Sequence, residues 1–200
     1  MITTYTELKD EVGKFAHRSD LAARMDTFCQ LAEGMINRDL RSQEMEKRES
    51  QTFNASFFDL PTDYLEMRAL EMEISGARVP LRQVTPQVLD GTYSQSTGHP
   101  RAFTIVAGQL EFSPGIEASD PYTGELVYFA KVPTLTSNST NDVLTATPMI
   151  YLAAMMVQVS IFTQDNDQLA IWTEAYTSQT ASANSVATSG RYILPSIQVS

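Results

Sequence analysis

Glu44, Glu46, Glu49, Glu71, Glu73, Glu111, Glu117, Asp120 and Glu125 give the middle of the chain a dense supply of carboxylates. Glycoside hydrolysis is the chemistry such residues could perform together, and it needs a pair of carboxyl groups facing one cleft at roughly 5 to 9.5 Å. Glu71 and Glu73 alternate with Leu70, Met72 and Ile74, so on a strand they share one face, and a solvated surface is the plainer account of them. His17 and His99 have no Cys, Asp or Glu partner at metal-ligand spacing. Cys29, the single cysteine, cannot form an internal disulfide, and within the apolar run MDTFCQLAEGMI it reads as a small buried side chain rather than a nucleophile. Asp165 and Asp167 lack the further oxygen ligands and distal glutamate of a calcium loop, and read as helix caps. The chain holds no glycine-rich phosphate loop, serine elbow or zinc signature. No catalytic, cofactor-binding or metal residue is assigned.

Composition narrows the class. A chain of 200 residues that is 42% hydrophobic and 19% charged can bury a real core, which excludes disorder as its main description. A formal charge of −10 argues against a nucleic-acid-wrapping surface, because such surfaces supply many Lys and Arg to displace counterions. The opening MITTYTELKDEV has neither the basic nor the apolar region of a signal peptide, so synthesis in the cytoplasm is expected. The longest apolar stretch, Met149 to Phe162, falls short of the ~20 residues of a membrane span and predicts a buried core helix.

The elements follow from periodicity. Thr6 can cap a first helix to about Phe15, with Leu8, Val12 and Phe15 on one side. Ser19 or Asp20 can cap a second, in which Leu21, Met25, Phe28, Cys29, Ala32, Met35, Ile36 and Leu40 recur at steps of three and four. Arg24, Glu33, Asn37, Arg38 and Arg41 fall largely on its other faces. The period changes to two in EMEKRESQTF and again in LEMEI, the pattern of half-buried strands, and the charge-alternating RSQEMEKRES predicts an exposed edge strand or a subunit contact. SGARVP predicts a hairpin around Gly76, AFTIVAGQLEFSP one turning at Ala107 and Gly108, and GELVYFAKV a closing strand. PTLTSNSTND reads as a flexible polar stalk. Pro148 then opens a third helix to Thr163, apolar almost all round, and Asp165 or Asp167 caps an antiparallel fourth carrying Leu169, Ile171, Trp172 and Tyr176. Beyond Thr177 the small polar run predicts fraying before Gly190. RYILPSIQVS is left as an extended arm whose Tyr192, Ile193, Leu194 and Ile197 are the candidate interaction residues. The expected fold class is α+β: an antiparallel helical bundle from both chain ends (1–42 and 142–189), an inserted β-rich lobe with linker (43–141), and an extended C-terminal arm (190–200).

Four stretches, FCQLAEGMINRDLRSQEME (Phe28 to Glu46), LPTDYLEMRAL (Leu60 to Leu70), YFAKVPTLTSNSTNDVL (Tyr128 to Leu144) and PMIYLAAMMVQVSIFTQDNDQLAIWTEAY (Pro148 to Tyr176), occur in an order that resembles the head-to-tail adaptor proteins of tailed bacteriophages, the group that includes the tubular tail protein A type. The resemblance implies a structural virion protein at the head–tail junction. It would form a homo-oligomeric ring of twelve copies between the capsid portal and the tail tube or nozzle, with double-stranded DNA passing through without specific binding. It implies no cofactor and no membrane. The competing classes are a glycosidase or lytic enzyme built on paired carboxylates and a scaffold unrelated to phages.

Overall fold

The first helix begins where a capping box closes. The Thr4 hydroxyl accepts the Glu7 N–H at 3.3 Å, and Glu7 Oε2 accepts the N–H groups of Thr3 and Thr4 at 2.7 and 3.1 Å, so α1 spans Tyr5–Phe15. The cap falls before Thr6 because only Thr4 has a glutamate three residues on to return the bond. Leu8 and Val12 are fully buried, whereas Phe15 remains 49% exposed. Ser19 and Asp20 do not cap the next helix; Asp20 pairs with Arg18, and a 3-10 turn, Ala22–Arg24, leads into α2, Met25–Asp39.

The computed structural model describes residues 1–93 and 98–189. The chain divides into one unit of Met1–Met45 with the segment from Lys131 onward, and a second unit of Glu46–Ala130. The second unit contains β1 (Glu46–Phe53), β2 (Phe57–Asp59), β3 (Tyr64–Ile74), β4 (Ala77–Pro80), β5 (Arg82–Gln83), the short α3 (Pro86–Val88), β6 (Ala102–Val106), β7 (Gln109–Ser113) and β8 (Tyr122–Ala130). One sheet has the order β1-β8-β3-β4 and the other β2-β7-β6-β5, all antiparallel except β5 with β6. Both tight hairpins turn where expected, at Ser75–Gly76 (φ 54 and 80) and Ala107–Gly108 (φ 51 and 82). Positive φ at both central residues is the requirement of the type I′ turn that matches strand twist. Phe53, Leu70, Met72, Leu126 and Tyr128 from the first sheet and Phe103, Leu110 and Phe112 from the second form one buried cluster. Each such side chain contributes about 1.5–3 kcal/mol of burial. Gly124 admits this packing: a Cβ there would lie 2.7 Å from the Phe53 ring and 2.8 Å from the Glu71 carbonyl.

In the first unit, α4 (Asp142–Ala146) precedes α5 (Pro148–Thr163), which starts at Pro148 and buries residues on every face, from Ile150 to Ser160. Gln164, at φ 58, turns the chain, and Asp165 Oδ1 accepts the Gln168 N–H at 3.0 Å to cap α6 (Asn166–Ser189). α1, α2, α4 and α6 all pack on α5. The fraying expected after Thr177 does not occur. Tyr176, Thr180 and Ala187 are buried, and Asn184 donates to the Asp39 carbonyl at 2.9 Å while accepting the Arg41 N–H at 2.7 Å. Tertiary packing outweighs the weak helix propensity of that stretch. The observed architecture is mixed helix and sheet, of the α+β class.

Candidate interaction surfaces

Glu33 and Asn37 stand one turn apart on α2, and therefore on one face. That face carries the segment returning from the β unit. Asn37 Oδ1 accepts the Val132 N–H at 2.9 Å, and Glu33 accepts the Leu135 N–H at 2.7 Å and the Thr134 hydroxyl at 2.6 Å. Farther along, the Ser139 carbonyl accepts the Tyr5 N–H at 2.7 Å, and Thr140 donates to the Thr3 carbonyl at 2.8 Å. Asn141 ties the end down, donating to the Pro133 carbonyl at 2.8 Å and the Tyr151 oxygen at 2.7 Å and accepting the Leu144 N–H at 2.8 Å. The polar run PTLTSNSTND is thus a strap fastened to the helices, not a loose stalk. Glu33, expected away from the apolar face of the helix, is 6% exposed; its carboxylate is met by donors from a distant segment that helical periodicity does not report.

Cys29 is fully buried next to Glu33. Burial, and then the Glu33 charge, push its thiol up to about 12, which removes it as a nucleophile. Among the carboxylates, the structure brings Glu49 and Asp63 together: the Tyr128 oxygen lies 3.1 Å from Glu49 Oε2 and 3.0 Å from Asp63 Oδ1. Lys47 Nζ lies 2.8 Å from Asp63 and 3.7 Å from Glu49. Burial would raise the Asp63 pKa, but the hydrogen bonds from Lys47 and Tyr128 outweigh it and hold the carboxyl below its usual range. A lysine and a tyrosine thus occupy the space between the pair, where a hydrolase would need a sugar and a water. Glu125 is bound by Arg48 at 2.9 Å and Arg78 at 3.4 Å, and Glu46 pairs with Arg68. These carboxylates join strands.

His99 Nδ1 lies 3.0 Å from the Tyr122 hydroxyl, which donates to Asp120 at 3.1 Å, and His17 sits at the end of α1 with φ 50. Asp165 is the cap of α6 and no calcium ligand set surrounds it; among the described residues no group of His, Cys, Asp and Glu could hold a metal ion. No described helix is long and apolar enough to cross a membrane.

Surfaces suited to contacts are more evident than surfaces suited to chemistry. β1 is the edge of its sheet, and Glu46, Lys47 and Arg48 are exposed along it. On the helical unit, α1, α5 and α6 with the turn after α1 line a groove of about 550 Å³ whose apolar members include Phe15, Met156, Val159 and Trp172, with His17, Arg18, Asp165 and Gln168 among its polar ones. Phe15 meets Trp172 edge to face at 5.4 Å. Near the end of α5, Phe162 remains 45% exposed although it contacts Phe28 at 5.6 Å and lies under the Arg24 guanidinium at 4.8 Å. Tyr192, Ile193, Leu194 and Ile197 lie outside the described residues.

A protein-family model described as SU10 adaptor protein matches residues 3–195. No curated protein matches the chain.

Proposed function

The chain belongs to the SU10 adaptor protein family, a family of bacteriophage adaptor proteins, and we propose that it is the head-to-tail adaptor of a virion, closing as a ring of twelve copies between the capsid portal and the tail tube or nozzle. The observation that carries the reading is the match over residues 3–195, which leaves only the chain's extremities outside it. Physical features agree with it. Charged groups such as Glu125 with Arg48 and Glu46 with Arg68 tie strands together, and exposed aromatic and aliphatic side chains such as Phe15, Phe57, Phe162 and Ile171 offer contact area.

In this reading the helices form an antiparallel bundle that serves as wall, the β unit is a lobe inserted into it, and residues 190–200 are an interaction arm. The strap from Lys131 to Asn141 makes the returning connection part of the wall. A net charge of −10 per copy suits a passage through which DNA slides without adhering. The protein is made in the host cytoplasm and ends in the virion, with an affinity to the tubular tail protein A type.

Sedimentation of the purified chain alone and with its portal tests this. A largely monomeric chain that enters a ring-sized complex on adding portal is the expected result. A chain that stays monomeric with the portal at every concentration, or that hydrolyses a glycan with loss of activity on Glu49→Gln, would replace the proposal.

A further inference from the structure

We infer that copies of this chain join through two outward helix faces: Arg24, Leu31 and Arg38 along α2 of one copy seat against Asp167, Ile171 and Glu174 along α6 of the next. The inference rests on the ring reading above and names one contact that would join neighbours in it.

Both faces are turned away from the packed side of their helix. On α2 the buried residues are Met25, Phe28, Cys29, Ala32, Glu33 and Ile36. Arg24 at the helix start, Leu31 and Arg38 recur every seven positions, so at 3.6 residues per turn they stack one above another on the solvent side. On α6 Trp172, Tyr176, Thr180 and Ala187 are buried. Asp167, Ile171 and Glu174 are spaced by four and three, and their shared face lies opposite that stripe. Leu31 is 53% and Ile171 57% exposed, so each face holds a large aliphatic side chain in water between charges of one sign.

Charge selects the occupant. Between Val132 and Ser189 the sequence contains no Lys or Arg, and among the described residues neither Asp167 nor Glu174 has a side-chain hydrogen bond or an ion pair. The α2 face has the opposite sign. Thr27 and Gly34 separate Leu31 from the arginines, and the nearby Asp26 is engaged on the flank, accepting the Tyr5 hydroxyl at 2.7 Å. Arg24 faces only the Phe162 ring, at 4.8 Å. Arg38 pairs with Asp39 at 2.7 Å, yet its side chain is 70% exposed, and a guanidinium has donors enough for a second carboxylate. One chain therefore carries both halves of a complementary pair.

Spacing permits the match. Arg24 and Arg38 stand about 21 Å apart along α2, and Asp167 and Glu174 about 10.5 Å apart along α6. With Leu31 beside Ile171 the difference is about 5 Å at each end, a gap that the long arginine stem spans. The two faces are different surfaces of one chain, so the contact is heterologous, the type that closes into a ring when its rotation permits.

The first test is the full chain carrying Leu31→Cys and Ile171→Cys, oxidised with portal present and resolved by non-reducing electrophoresis, with assembly followed in parallel by sedimentation. Cys29 is buried and does not compete. A covalent ladder extending beyond two copies is expected. The second test is a charge swap. Asp167→Lys with Glu174→Lys should raise the concentration needed for assembly about tenfold or more, and adding Arg24→Glu and Arg38→Glu to the same chain should restore most of it. An intrachain disulfide alone, a product that stops at two copies, or rings seen by sedimentation without the disulfide overturns the inference and leaves the adaptor reading standing, as does a swapped chain that melts like the parent but does not recover assembly. If no ring forms under any condition, the ring reading and this contact fail together.

Discussion

Glu33 Oε1 accepts the backbone N–H of Leu135 at 2.7 Å although 102 positions separate the residues in the chain. Glu33→Ala leaves that buried N–H without its acceptor, whereas the half-buried Thr134 hydroxyl can turn to Thr136 at 3.1 Å. A buried unsatisfied group costs roughly 1–3 kcal/mol, so the denaturant midpoint should fall by that equivalent with the slope unchanged. Glu33→Gln, which keeps one acceptor oxygen, should lose less. A midpoint identical to the parent protein would show that the strap is not fastened there.

Gly124 and Gly34 should respond to alanine with opposite signs. At Gly124 the new Cβ meets the Phe53 ring and the Glu71 carbonyl within 3 Å, and overpacking of this kind costs about 1–3 kcal/mol. Gly34 lies within α2 with nothing within 4 Å of a Cβ, so Gly34→Ala should stabilise by about 1 kcal/mol through helix propensity. Thermal unfolding of both variants reads the contrast, and a rise in Tm for Gly124→Ala would contradict the sheet packing.

Asp39 should make stability fall in acid. The Arg38 hydrogen bond lowers its pKa, burial opposes this, and the Arg38 charge and the Tyr176 hydroxyl add to the lowering. The unfolded carboxyl titrates near its ordinary value of 3.8. The folded one titrates lower, so the contribution is complete above the ordinary value and is lost as pH falls through the depressed one. Asp39→Asn should flatten the dependence of unfolding free energy on pH below about pH 5. An unchanged acid limb would remove Asp39 from the account.

Native Cys29 should resist thiol reagents at pH 8, because burial and Glu33 hold its pKa near 12, and should react at the rate of unfolding once denaturant is added. Rapid stoichiometric labelling of the native chain would mean that the contact between α2 and the strap opens readily.

The distal half of α6 depends on Asn184. Asn184→Ala removes the bonds to the Asp39 carbonyl and the Arg41 N–H, so amide protection from about Thr177 onward should drop while α5 stays protected. Uniform protection in the variant would show that Thr180 and Ala187 suffice to hold the helix.

What the sequence determined by itself is what neighbours along the chain decide. Pro148 and an apolar run interrupted only by Gln158 and Ser160 place α5 at Pro148–Thr163, and Ser75–Gly76 and Ala107–Gly108 place the hairpins, because turn geometry and the first helical turn depend on the few residues that form them. Asp165, not Asp167, proved to be the cap of α6, a distinction settled by which carboxylate faces the Gln168 N–H. The roles of Glu33, Asn37, Asn141 and Asn184 were not legible. Each is a polar side chain on a helix or at its start, indistinguishable locally from a solvated one, and each is desolvated or bonded by a segment far away in sequence. The groove beside Trp172 has the same origin: Phe15, Met156 and Trp172 come from three helices, and their convergence is a property of packing on α5. Period and propensity act over a few residues, whereas the loss of water from a charge or an aromatic ring depends on which distant surface arrives, and tertiary structure alone decides that.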